Sequence, residues 1–299
     1  MLTIKTESAD LSYDSFTTAD PPQLIIDIRE KKREKIKGEF SEEKRGISSG
    51  VEKEEKKASQ SILPSSFSRK KDQKVIVIDP GHGGIESGAK GKFGALEKDI
   101  TLSIGLKLKN IIEKNLAFRV VLTRDKDENK SLEQRAAAAN NNNAYVFISI
   151  HANGSYRREA RGSETFFLSL NATDEEARRL AYMENNSSEI EKKIEGENED
   201  NILMILWDMA QTAYLRQSSQ LAESIQNQLN SLLGTKNRGI KQAPFKVLTG
   251  VACPAVLVEV AFISNPVEER KLLTEEFQAD VAQAIYRGLL SFIRLNPQK

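Results

Sequence analysis

Only two histidines occur in the 299-residue chain, and each follows an apolar run. His82 stands in VIVIDPGHGG, Val75–Gly84, and His151 closes the run Tyr145–Ile150 in YVFISIHAN. Glycines on both sides of His82 allow a sharp backbone turn that leaves the imidazole open to a ligand. Two carboxylates extend the chemistry. Glu97 lies in GALEKDITL, just ahead of a helical pattern, and Glu259 lies within the apolar run AVLVEVAFISN. Two imidazoles and one carboxylate, with water in the fourth position, make a catalytic zinc arrangement. A carboxylate inside an apolar strand costs several kcal/mol of desolvation unless it is paired or bound. Burial also raises its pKa toward the range of a general base. Each residue has a plainer reading beside this one. Glu97 suits a first helical turn, where the dipole favours acids; His151 suits a core histidine bonded to backbone; Glu259 suits a buried salt bridge. The spacing is not the short His-Glu-x-x-His form, so the residues alone leave both readings open. Asp79 either orders the turn or holds the ring of His82 through a hydrogen bond.

These residues need strands that end at one rim. Val75–Asp79, Phe118–Thr123, Tyr145–Ile150, Gly162–Leu170 and Ala255–Val260 read as strands, the fourth nearer an edge, with Phe245–Leu248 as a short extended piece. Asp99–Asn115 has apolar residues at helical spacing. Ser131–Asn142 reads as a helix with Ser131 and Gln134 in capping-box position, and Glu276–Ile293 as a long closing helix. Strands separated by helices predict an α/β fold, with a mostly parallel or mixed sheet covered by helices on both faces. Ligand sites in such folds lie at the carboxyl ends of strands, where His82 and His151 fall. The interval from Asn171 to Leu233 is longer than a crossover requires. It reads as a helix capped by Thr173, a charged loop Glu189–Asp200, and a helix Ile202–Leu233. Inserted structure of this size is either a lid or a decoration.

The 39% hydrophobic and 29% charged residues suit one globular domain with accessory segments. A net charge of +1 gives no bulk signal for nucleic acid. No apolar run approaches the roughly 20 residues needed to span a bilayer. MLTIKTESAD lacks the order of a signal peptide, which leaves either a cytoplasmic protein or a sequence that begins after a removed leader. The single cysteine, Cys253, excludes an internal disulfide and reads as a small buried residue. Residues 1–28 carry weak strand signals, and 29–73 are too charged and too poor in large apolar residues to bury a core, so they read as a linker. The compact domain is expected over 74–297.

From about Lys74 to Leu295 the chain resembles the zinc-dependent N-acetylmuramoyl-L-alanine amidases of the Amidase_3 family, in the cell-separation branch. The resemblance rests on IDPGHGG at Ile78–Gly84, the glutamate of LEKDITL at Glu97, TRDKD at Thr123–Asp127 and LEQR at Leu132–Arg135. It continues through FISIHAN at Phe147–Asn153, RGSETFFLS at Arg161–Ser169 and VEVAFISNPVEE at Val258–Glu269. It implies a fold of the phosphorylase/hydrolase type with a helical regulatory insertion at 171–218. It implies one zinc ion held by His82, Glu97 and His151, with Glu259 as catalytic acid/base. The implied substrate is peptidoglycan, cut at the amide between N-acetylmuramic acid and L-alanine of the stem peptide. In that branch a helix of the insertion lies across the site and a glutamate fills the open zinc position until an activator protein draws it away. The residue that matches is Glu184, with Glu175, Glu176 and Glu189 nearby as competitors. Phe16–Ile28 is similar to the closing strand of an AMIN targeting domain, so 1–28 is expected to be a remnant of one. A periplasmic or extracellular monomer follows, with neither nucleic-acid partner nor membrane span. Two other functions stay open: a peptidoglycan-binding module with little activity, and a zinc carboxypeptidase acting on wall peptides.

Overall fold

The computed structural model describes residues 11–19, 22–30, 73–186, 201–234 and 236–296. The chain divides into two units, Met1–Ser66 and Phe67–Lys299. In the first, β1 (Leu11–Ala19) and β2 (Pro22–Glu30) pair antiparallel as a hairpin. The charged linker expected over 29–73 falls almost wholly outside the described residues, as does the loop expected at Glu189–Asp200.

The second unit is built on a six-stranded sheet. Its strands are β3 (Val75–Pro80), β4 (Arg119–Leu122), β5 (Ala144–Asn153), β6 (Ser163–Leu168), β7 (Asn237–Ala243) and β8 (Ala255–Phe262). They lie in the order β4-β3-β5-β8-β6-β7. The first four run parallel, β6 is antiparallel to β8, and β7 is parallel to β6. The sheet is therefore mixed. Helices α1 (Glu97–Asn115), α4 (Asn201–Leu233) and α6 (Glu275–Leu295) cover one face. Helices α2 (Leu132–Asn141) and α3 (Glu175–Asn185) cover the other. A short helix α5 (Pro266–Leu272) follows β8. Among the described residues no helix is long and apolar enough to cross a membrane.

Side chains alternate between the faces of each strand. Ile76, Ile78, Ile148, Ile150, Val256 and Val258 join the α1–α4–α6 core. Val77, Phe147 and Leu257 join the α2–α3 core. Asp79, Ser149, His151 and Glu259 share the parity of that second set, so the polar residues at the strand ends project toward the α2–α3 face. β8 is buried along its whole length, the sign of a strand enclosed on both faces.

Several boundaries and one strand differ from the sequence reading. β5 runs on through His151 to Asn153 because it pairs with β8 up to that point. Gly162–Leu170 shrinks to β6, which is second from the edge. The edge strand is β7, a polar segment (NRGIKQA) whose half-exposed residues carry no alternation to read. Phe245–Leu248 is not extended; Lys246–Leu248 forms a single 3₁₀ turn. The Ser131–Gln134 capping box forms in full. The cap of α3 is Asp174, whose carboxylate accepts from the Ala177 amide, while Thr173 instead accepts from the Gln242 amide of β7.

Candidate metal centre

Four side chains converge above the carboxyl ends of β3 and β5. His82, Glu97, His151 and Glu184 each offer one ligand atom, and these atoms lie within 4.8 Å of one another. His82 Nε2 is 3.2 Å from Glu97 Oε2 and 3.3 Å from Glu184 Oε2. His151 Nδ1 is 3.1 Å from Glu97 Oε1 and 3.2 Å from Glu184 Oε2. The two imidazoles stand edge to face, their centroids 5.0 Å apart.

Each donor is placed by a different device. His82 follows β3 and adopts φ +59, a left-handed conformation that only a well-held turn maintains in a non-glycine residue. Two buried arginines supply the hold. Arg135 donates to Asp79 Oδ1 at 2.7 Å, to the Pro80 carbonyl at 2.9 Å and to the His82 carbonyl at 2.9 Å. Arg124 donates to the Pro80, Gly81 and Lys98 carbonyls. Asp79 also accepts from Thr123 and Ser149. Of its two expected roles, Asp79 takes the first: it orders the turn and makes no contact with the imidazole among its hydrogen bonds. Burial would raise the Asp79 pKa, but the Arg135 guanidinium together with the hydrogen bonds from Thr123 and Ser149 outweighs burial and holds it below the usual value.

Glu97 opens α1 and turns inward. The Ala89 amide donates to its Oε2 at 2.7 Å and the Ala152 amide to its Oε1 at 2.9 Å. Two glycines admit this approach. A Cβ at Gly81 would lie 2.5 Å from the His151 ring, and one at Gly88, at φ +64, 2.5 Å from Glu97 Oε2. Glu184 arrives from α3. The next residue, Asn185, anchors that end of the helix by donating to the Pro244 carbonyl and accepting from the Lys246 amide, both at 2.7 Å.

Electrostatics bind the group together. Burial alone would lower the pKa of His82, but Glu97 and Glu184 overcome it and push the ring up to about 10. His151 is held well above its ordinary value in the same way, chiefly by Glu184. Burial would raise Glu97, but the histidines hold it far below the carboxylate range, and they hold Glu184 at about 2. Protein groups alone thus draw protons onto the imidazoles to balance the buried Glu97 and the partly buried Glu184 carboxylates. A divalent cation at the same point would do that work by displacing the protons. His82 Nε2 is in fact buried without a hydrogen bond of normal geometry, despite the two nearby carboxylate oxygens. A donor aimed inward without a hydrogen bond, among nitrogen and oxygen ligands, fits a zinc ion.

Glu259 lies beside this cluster. It is in register with His151 across β5 and β8, on strands about 4.8 Å apart. The residue is fully buried, and neither carboxylate oxygen has a hydrogen-bond partner. Burial raises its pKa well above the ordinary value; His151 opposes this, and Glu97, Glu184 and Glu164 add to it. Cys253 is buried and unpaired, and desolvation pushes its thiol up to about 12, so it offers no thiolate.

The structure therefore brings together all five residues singled out from the sequence. Of the competing glutamates, Glu175 pairs with Arg178 and Glu176 with Arg238, both away from the histidines, and Glu189 lies outside the described residues. The sequence reading gave no role to Arg124 or Arg135, although both sit in the segments TRDKD and LEQR. Nor did it single out Arg238 and Lys241 on the polar edge strand.

A mixed α/β sheet, a His-Glu-His donor set that could hold a metal ion at its carboxyl rim, and a buried unpaired carboxylate alongside make up a hydrolase-like site. Residues 76–291 match the family model of N-acetylmuramoyl-L-alanine amidase, Amidase_3, and the chain belongs to that family. It is 35% identical over 218 residues to the N-acetylmuramoyl-L-alanine amidase AmiC of Escherichia coli O6:H1, which covers 73% of this chain and 52% of that protein. It is 34% identical over 249 residues to AmiA of E. coli K12, covering 83% and 86%. The chain thus spans about half the length of AmiC and most of AmiA. The crystal structure of N-acetylmuramoyl-L-alanine amidase from Clostridium difficile 630 superposes with a TM-score of 0.56 at 30% identity, covering 76% of this chain and 99% of that one.

Proposed function

We propose that this chain hydrolyses the amide between N-acetylmuramic acid and the L-alanine of peptidoglycan stem peptides, in the wall cut during daughter-cell separation. The observation that carries the reading is Glu259, a fully buried carboxylate with no hydrogen bond, one strand from His151 in a group of four side chains that could hold a metal ion. His82, Glu97 and His151 would hold one zinc ion. Bound there, zinc supplies an acidified water and a Lewis acid for the amide carbonyl. Glu259 takes up the proton of the attacking water and returns it to the departing alanine nitrogen. Its raised pKa suits that exchange, because a carboxyl poised nearer neutrality both accepts and donates. No covalent intermediate with the chain is required.

Glu184 is the fourth donor in this reading, and α3 closes the site. Substrate reaches the centre only when α3 moves, which assigns an activator protein to the insertion at 171–218. The catalytic unit is 74–297, with a segment of a targeting domain within 1–28 and a linker over 29–73. A periplasmic or extracellular location follows from the substrate.

Elemental analysis together with mass analysis of digested sacculi tests the proposal. One zinc per chain and release of intact stem peptides from muramic acid are expected. Release of single C-terminal amino acids would instead establish a carboxypeptidase, and zinc-loaded protein that binds sacculi without releasing anything would leave a binding module.

A further inference from the structure

A second charged group lies beside the metal centre, on the same face of the sheet. Glu164 of β6 is in register with Glu259 of β8. Its buried carboxylate accepts from Arg238 Nε at 3.0 Å and from Asn153 Nδ2 at 2.7 Å, and pairs with Lys241 Nζ at 3.0 Å. Arg238 also lies over the Phe262 ring, 5.0 Å from its centroid, which fixes the plane of the guanidinium. Both cations reach past Glu164 to α3. Arg238 Nη2 donates to Glu176 Oε2 at 2.6 Å, and Lys241 Nζ lies 3.1 Å from Asp174 Oδ2. The two α3 carboxylates are half-exposed, whereas Arg238 and Lys241 are mostly buried.

The balance of charge changes when α3 leaves. Two fixed cations then face only Glu164. A buried, pre-oriented arginine and lysine with one carboxylate between them call for a second anion, and the guanidinium fork favours a carboxylate. α3 provides that anion in the closed state, just as Glu184 provides a carboxylate to the metal ligands. We propose that Arg238 and Lys241 form a carboxylate-binding subsite for the peptide part of the substrate, and that Glu176 and Asp174 occupy it as internal mimics. This assignment rests on the amidase reading. Glu176 and Glu184 are eight residues apart on α3, about 12 Å along the helix. An extended peptide advances about 3.3 Å per residue, so the recognised carboxylate lies within three or four residues of the scissile amide.

The test measures binding and so does not depend on turnover. The probe is the free stem tripeptide L-alanyl-D-glutamyl-diaminopimelate, compared with the same tripeptide carrying amidated carboxylates, by calorimetry on the full chain at low salt. The acid form is expected to bind at least about tenfold more tightly than the amide form, as loss of a charge-assisted hydrogen bond implies. Arg238→Gln should erase the difference. Glu176→Gln with Asp174→Asn, which leaves the buried network intact, should strengthen binding of the acid form and widen its advantage over the amide form. Absence of acid-dependent binding in that double variant overturns the subsite, whether both ligands bind alike or neither binds. Failure of the chain to cut sacculi would count against the amidase reading and leave the binding result standing.

Discussion

Glu97 and Glu184 present the same chemical group to the same two histidines, yet the fold tethers them in opposite ways. Glu97 begins a 19-residue helix packed into the larger core, its side chain is 2% exposed, and two backbone amides fix its oxygens. Glu184 sits near the end of an 11-residue helix that buries only Ala177, Leu180 and Ala181. Its side chain is 17% exposed, and what holds α3 in place beyond those three residues is Asn185 and the pairs at Glu176 and Asp174. Exposed or partly exposed pairs of this kind contribute little each. One carboxylate is built into the core and the other is fastened nearer the surface. If α3 acts as proposed, such a fastening suits control of access, because the His82–Glu97–His151 group does not depend on α3 for its position.

The comparison is broken most severely by removing a core ligand. His151→Ala or Glu97→Ala should reduce zinc to near zero by elemental analysis and hydrolysis of labelled sacculi to background. Next, Glu259→Gln should lower hydrolysis by about 10²–10⁴-fold, the usual share of a positioned proton carrier. It should leave zinc content unchanged, which separates proton transfer from metal binding. Glu184→Ala should work in the opposite direction, raising basal hydrolysis by about tenfold, equivalent to about 1.4 kcal/mol of closure, with zinc retained. Glu175→Ala, on the same helix, should change nothing. Loss of zinc in Glu184→Ala would mean that the two glutamates are equivalent after all.

The smallest effect concerns the support beneath His82. The Asp79 pKa is lowered by Arg135, so its folded value lies below the unfolded value of about 3.9. Its contribution to stability is present above about pH 4 and is lost as pH falls through the folded value. Asp79→Asn should lower the melting temperature at neutral pH and flatten the acid limb of stability, read by thermal melts from pH 3 to 7. An unchanged acid limb would place the stabilising charge elsewhere.

Much of the site was legible from local pattern. A histidine after an apolar run, flanked by glycines, marks a strand end wherever the strand lies. A glutamate in a wholly apolar strand marks a group that burial must perturb. The capping box at Ser131–Gln134 was equally local. The polar edge strand β7 left no such pattern, because an edge strand with half-exposed residues needs no alternation. With β7 unread, Arg238 and Lys241 went unnoticed. Arg124 and Arg135 were visible as residues but not as supports, since their partners are backbone carbonyls, which sequence does not distinguish.

By itself the sequence determined that two histidines would stand at strand ends, one glutamate at a helix start and another inside an apolar strand, since periodicity and burial are local properties of the chain. Only the tertiary structure decided which acid of the insertion completes the set. Glu175 and Glu184 are nine residues apart, about two and a half helical turns, and so face opposite sides of α3. Which side meets the histidines depends on how α3 docks on the sheet, through Asp174 to Lys241, Glu176 to Arg238 and Asn185 to Pro244. Those contacts join residues some sixty positions apart, and no local pattern encodes them.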